Sequence, residues 1–239
     1  MEINNAKLDL LKKVGFLKAK QEDFFTLRTR MPAGNYTAEQ LIKLGELARK
    51  YGKGFVHLTV RQGIEIPFIN ALDIDAVGKE LDDSGVQRGT SGPRLRATTC
   101  CPGNSWCKRG MIDTFSFFDA VEKFGIRCAM DLPHKFKIAI AGCSNMCTRG
   151  QSSEVGIFGA ADIQRNQIGY GVYVGGCGGR NPRLGIRLKR IFNEEEVLSL
   201  IEKIVAYYKY NARAKQRLGA LIEEAGEEKL LESIGEEKA

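Results

Sequence analysis

No stretch of this 239-residue chain stays apolar for about 18 residues, the length a membrane-spanning helix needs. The first twenty residues, MEINNAKLDLLKKVGFLKAK, lack the unbroken apolar core of a signal peptide. They read instead as a short amphipathic helix, and the expectation is a cytoplasmic protein with no membrane role. Tandem repeats and low-complexity tails are missing. The chain is basic, with a formal net charge of +7, yet no basic stripe is interleaved with aromatic residues. A nucleic-acid partner is therefore not expected. There is no dinucleotide-binding fingerprint and no run of close Cys-x2-Cys pairs.

What is present is ordinary in bulk and uneven in detail. Hydrophobic residues make up 43% and charged residues 27%, as in a globular protein. The length fits one large domain or two small ones. Residues 1–190 carry a net +11, whereas 191–239 carry −4. A concentrated positive balance fits a solvated surface or a basic cavity for a strongly anionic ligand, and the positions of the charges favour the cavity.

Periodicity divides the chain. FFTLRTRM (24–31) alternates as a strand does. NYTAEQLIKLGELARKYGKG reads as a helix, with Thr37 and Gln40 forming a capping box and Gly52 after the last turn. FVHLTV (55–60) and GIEIPFI (63–69) read as strands, and a second helix capped by Asn70 ends near Gly85. This order predicts an α+β unit with an antiparallel sheet and helices on one face. Beyond it, strands are expected near 94–99, at 135–141, and in EVGIFGAADI and IGYGVYVGG, with a helix over 108–124 using Phe115, Phe118 and Val121. GGCGGRNPRLG (175–185) is too rich in glycine for regular structure, and the chain is helical from Asn193.

Four of the seven cysteines form two tight pairs, in TTCCPGNSWC (98–107) and AGCSNMC (141–147). In a reducing compartment such pairs point to metal or redox chemistry more than to disulfides. The spacing Cys-x5-Cys is unusual for structural zinc. Two loops that each follow a strand can bring Cys101, Cys107, Cys143 and Cys147 around an iron–sulfur cube. Zinc and inert buried thiols remain the alternatives, and Cys100 competes with Cys101. Cys128 reads as structural.

The cations repeat a pattern. Arg28 and Arg30 lie two apart on one strand, as do Lys135 and Lys137 on another, so each pair shares a face. Like charges side by side need solvent or an anion between them. Arg61, Arg94 and Arg96 add to the set, and the nearby cysteine loop makes an anion site the sharper reading.

On these residues the chain resembles the sirohaem-dependent sulfite and nitrite reductases, from about residue 24 to 235. LRTRMPAGNYTAEQL and LTVRQGIEI are similar to that family's ferredoxin-like half-domain, and LPHKFKIAIAGCSNMC and GGRNPRLG to its sirohaem and 4Fe–4S domain. The resemblance implies an α+β fold, with a ferredoxin-like half-domain at 1–88 and the sirohaem and 4Fe–4S domain at 89–239. It implies that Cys101, Cys107, Cys143 and Cys147 hold the cluster and that Cys147 also bridges to the sirohaem iron. Arg28, Arg96, Lys135 and Lys137 match the substrate cations, and Arg61 an arginine supporting the sirohaem carboxylates. Arg30, Asn145 and Arg180 are further cofactor-site candidates. His57 stands where larger members often carry arginine, and Cys177 lies in a loop that usually has no cysteine.

The implied activity is six-electron reduction of a small oxyanion: sulfite to sulfide, with nitrite to ammonia as the alternative. A non-catalytic sirohaem/Fe–S electron carrier or sensor is the reading from another class. Many family members fuse two copies of this unit, and this chain has one, so a homodimer with sites shared between copies is expected. Without a dinucleotide fingerprint, electrons would come from an external donor such as a ferredoxin or a partner subunit.

Overall fold

The computed structural model describes residues 4–89, 91–129, 131–163 and 165–239, with backbone alone over 125–128. The chain divides into two compact units, Met1–Gly92 and Pro93–Ala239. No helix among the described residues is long and apolar enough to cross a membrane.

The first unit contains α1 (Asn5–Lys13), β1 (Phe16–Lys18), β2 (Phe24–Arg30), α2 (Ala38–Tyr51), β3 (His57–Leu58), β4 (Ile64–Asn70), α3 (Ile74–Asp83) and β5 (Gln87–Arg88). Its antiparallel sheet runs β1-β2-β4-β3, and β5 pairs with β2. β2 alternates, burying Phe25, Leu27 and Thr29 against the core. Ile64, Ile66 and Ile69 from β4 join Leu44 and Leu47 of α2 and Val77 and Leu81 of α3 in that core. Each such side chain contributes about 1.5–3 kcal/mol by leaving water. Thr37 and Gln40 form the expected capping box of α2. Such a cap is worth about 1 kcal/mol. The strand expected over 55–60 shrinks to His57–Leu58, because Phe55, Val56, Leu58 and Val60 have no covering layer.

The second unit contains β6 (Thr99–Cys100), α4 (Thr114–Cys128), β7 (Ile138–Ala141), β8 (Val155–Asp162), β9 (Gln167–Val174), β10 (Ile186–Arg187), α5 (Glu194–Asn211), α6 (Leu218–Ala225) and α7 (Glu227–Ile234). Its sheet order is β10-β9-β8-β7-β6. β6, β7 and β8 are parallel neighbours, whereas β9 and β10 add antiparallel. A parallel pair needs a crossover, and α4 lies in the one from β6 to β7. All four residues of β7 are buried, as in a strand covered on both faces.

Two expectations change here. The helix expected from residue 108 begins at Thr114, because Asp113 Oδ1 accepts from the amides of Phe115 and Ser116 at 3.1 and 3.0 Å. Residues before it turn back toward the cysteine loops instead. Phe117, absent from the expected face, is fully buried in place of Phe115. The strand near 94–99 is reduced to a bridge between Leu95 and Phe136 followed by the two-residue β6. Cys128 lies outside the described side chains.

Candidate functional site

In the second unit, Thr99 pairs with Ala139 and Cys100 with Ile140. Because β6 and β7 are parallel, their C-terminal ends lie together, and each runs directly into a cysteine loop. The Cys101 amide donates to Ile140 O at 3.2 Å and carries the pairing one residue further. Two bonds then tie loop to loop. The Gly142 amide donates to Cys101 Sγ at 3.0 Å, and the Met111 amide donates to Gly142 O at 2.8 Å. Three glycines make this approach possible. A Cβ on Gly142 would sit 2.6 Å from Gly103 Cα, and one on Gly110 would collide with the Gly103 carbonyl. Cys101 and Cys143 are half-buried, and Cys107 and Cys147 face solvent.

This donor set suits an iron–sulfur cube. Four thiols are soft ligands, and an amide already aimed at one sulfur is a recognised control on cluster potential. Among the described residues, no three His, Cys, Asp or Glu side chains converge as one metal ion requires. A cube asks for something else, since each thiolate takes its own iron. Beside Cys147, Thr148 Oγ1 is buried with no hydrogen-bond partner among the described residues.

Cys100 turns away from this end. It is 1% exposed, and its thiol donates toward Cys101 O at 3.3 Å and Thr114 O at 3.4 Å. Burial pushes that thiol up to about 12, so it stays protonated. Cys177 is also buried, and its thiol donates to Asn181 O at 3.2 Å. It closes a small hairpin with Arg183 through two backbone bonds, at 3.0 and 2.8 Å, inside the glycine-rich stretch expected to be irregular. Asn145 and Arg180 are exposed, on the second cysteine loop and on this hairpin.

The cations lie at the other end of the same strands. The Phe136 amide donates to Arg94 O at 3.1 Å, and the Arg96 amide to Phe136 O at 2.9 Å. Leu95 and Phe136 are buried, so alternation sends Arg94, Arg96, Lys135 and Lys137 to the opposite face. All four are half-buried. Sequence reasoning missed what anchors the backbone at Lys137. Glu154 is 0% exposed, and its Oε2 accepts from the Lys137 amide at 3.0 Å. Its Oε1 accepts from Arg217 Nε at 2.8 Å, and Arg217 Nη1 donates to Gly178 O at 2.9 Å. Burial pushes the Glu154 carboxyl up, and the Arg217 charge opposes it. His134 is held below the ordinary histidine value by burial, then by the charges of Lys135, Arg217 and Arg96.

In the first unit, Arg28 and Arg30 share a face of β2. Register places Glu65 between Arg28 and His57, and Arg28 Nε donates to Glu65 Oε1 at 2.7 Å. Burial lowers the Arg30 pKa, and burial together with the Arg28 charge lowers that of Arg61. Thus Arg28 and Arg61 are close enough to repel, with Glu65 partly compensating them. His57 is exposed.

Known proteins resemble this chain in sequence and fold. A model of the nitrite and sulphite reductase 4Fe–4S domain matches residues 91–239, and one of the nitrite/sulfite reductase ferredoxin-like half domain matches 17–84. A coenzyme F420-dependent sulfite reductase from Methanocaldococcus jannaschii is 28% identical across 93% of this chain and 44% of its own. A nitrite reductase [NAD(P)H] from Emericella nidulans is 30% identical across 83% of this chain and 17% of its own. The solved NirA protein of Mycobacterium tuberculosis superimposes with a TM-score of 0.83 at 22% identity, over 97% of this chain and 46% of its own. The chain thus spans less than half of each of these three. The chain belongs to the nitrite and sulfite reductase family, whose 4Fe–4S domain binds sirohaem together with the cluster.

Proposed function

We propose that this chain reduces sulfite to sulfide, with two copies contributing to each site. The observation that carries the reading is the parallel delivery of both cysteine loops to one sheet end, clamped by the Gly142 amide on Cys101 Sγ. Cys101, Cys107, Cys143 and Cys147 would hold the cluster, and Cys147 would also meet the sirohaem iron. When bound, the coupled sirohaem and cluster supply single electrons in succession. A sulfite reductase similar over 93% of this chain supports sulfite as the substrate, and a nitrite reductase large subunit similar over the same share keeps nitrite as the alternative.

The protein's own part is electrostatic. Arg28, Arg96, Lys135 and Lys137 would grip the oxyanion and stabilise charge as S–O bonds break. Lysine ammonium groups can pass protons to departing oxygen, whereas arginine holds geometry without titrating. Bisulfite then takes up six electrons and six protons and leaves as hydrosulfide and three waters. Arg61, with Arg30, Asn145 and Arg180, would face the sirohaem carboxylates. The electrons would come from an external donor.

Distance along the strand supports sharing between copies. Lys137 precedes Cys143 by six residues, four of them in β7. At about 3.3 Å per residue, the two ends are separated by roughly 15–20 Å, beyond one lysine's reach. An isologous dimer would set the cations of one copy against the sulfur end of the other, twice over.

Anaerobic purification from cells that make sirohaem, followed by a visible spectrum and assays of iron and labile sulfide, tests the cofactor assignment. Reduced viologen with sulfite or nitrite then tests turnover. Complementation tests the sharing. Chains carrying Lys135→Ala and Lys137→Ala, mixed during expression with chains carrying Cys143→Ala, should regain activity that neither shows alone. A mixture as inactive as its components would overturn the shared site.

A further inference from the structure

Four half-buried arginines in this chain each have an acid. Arg28 has Glu65, Arg217 has Glu154, Arg88 has Asp82 and Arg183 has Glu223. Arg94 differs. Its Nε is buried without a hydrogen-bond partner, and no ion pair involves it among the described residues. Its backbone is fixed through Phe136, and its side chain shares a face with Arg96, Lys135 and Lys137. A guanidinium is the side chain best shaped to take two oxygens of one anion at once. Leaving one partly out of water with nothing to pair is costly, and a fold keeps such a cost where a ligand later relieves it.

We propose that Arg94 is a further anion-binding residue of this site, taking either a carboxylate of the tetrapyrrole or an oxygen pair of sulfite. The proposal rests on the reductase reading above, but the position was not among the cations matched to the family. It also explains why a fourth cation stands on a face already carrying three. Solvation alone would require no burial of the Nε.

The test uses the full chain as wild type, Arg94→Met and Arg94→Lys, each expressed with sirohaem synthesis. Three quantities are read: sirohaem per chain from the visible spectrum, KM for sulfite with reduced viologen, and Tm of sirohaem-free protein. If the ligand is a tetrapyrrole carboxylate, Arg94→Met holds sirohaem about tenfold or more weakly, the size of one charge-assisted bond. If it is sulfite, sirohaem is retained and KM rises by about the same factor with kcat little changed. In either case sirohaem-free Arg94→Met melts no lower than wild type, since no internal partner is lost, and Arg94→Lys recovers part of the binding. Normal loading together with a KM within about twofold of wild type would overturn the proposal, as would a lowered Tm. A wild-type chain that takes up no sirohaem would overturn the parent reading, and this proposal with it.

Discussion

Strands β6 and β7 carry candidate site residues at both ends, and the two ends are built differently. At the C-terminal end, main chain positions sulfur. Parallel pairing, two inter-loop hydrogen bonds and glycine against glycine leave little for side chains to decide. At the N-terminal end, side chains position charge. Alternation sets the face, and a buried Glu154–Arg217 pair anchors the backbone of Lys137 and the hairpin at Gly178. Backbone geometry tolerates changes of charge but not of volume. The anchored cation end should show the opposite sensitivity.

The largest effect is expected at the anchor. Arg217→Met leaves Glu154 buried and unpaired, which should cost about 3–5 kcal/mol. Thermal or denaturant unfolding would read it. The double variant Glu154→Leu with Arg217→Met should recover much of that loss, because no charge then remains buried. Recovery of stability without recovery of sulfite turnover would separate the anchor's effect on lysine placement from its effect on folding. If Arg217→Met and wild type unfold alike, the cation end is not held in this way.

Next comes the sulfur end. Gly110→Ala adds one methyl where the Gly103 carbonyl already lies. Overpacking of this kind costs about 1–3 kcal/mol, and here the loops must part to accommodate it. Purified protein should therefore lack iron and labile sulfide even where the chain still folds. Full iron content in Gly110→Ala would show that the clamp is dispensable. A contrast between adjacent cysteines sharpens the point. Cys100→Ala should keep the cluster and cost about 1 kcal/mol of packing, whereas Cys101→Ala should lose it.

How far these features could be read in advance depends on whether their chemistry is local. The capping box Thr37–Gln40 and that of Asn193–Glu196 sit within four residues, so α2 and α5 were legible. The cysteine pairs and Lys135-Phe136-Lys137 carry their meaning in their spacing. Glu154 gave no such signal, because its partner Arg217 lies 63 residues further on. β1 and β5 are three and two residues long, too short for alternation to register. The helix expected from residue 108 starts later because the Gly110 and Met111 amides bond Cys107 O and Gly142 O in the cysteine loops, which periodicity cannot reveal. The amide from Gly142 to Cys101 Sγ, which joins the two motifs, was equally invisible in either one.

The smallest expected effect is a pH dependence at the cation end. Burial, then Lys135, Arg217 and Arg96, hold His134 below the ordinary histidine value. In the unfolded chain it returns to about 6.5. Between those two values the unfolded chain binds a proton that the folded chain does not, so stability rises with pH across that window. The contribution of neutral His134 is present above about pH 6.5 and is lost as pH falls through the lower, folded value. Tm measured from about pH 7.5 down to about 5.5 should fall more steeply for wild type than for His134→Gln. Sulfate added to the sirohaem-free protein should flatten the wild-type curve if an anion settles among those cations. Identical slopes for His134→Gln and wild type would mean that the charges gathered around His134 are screened by solvent, and the electrostatic contrast between the two strand ends would then rest on Arg94 and the Glu154–Arg217 pair alone.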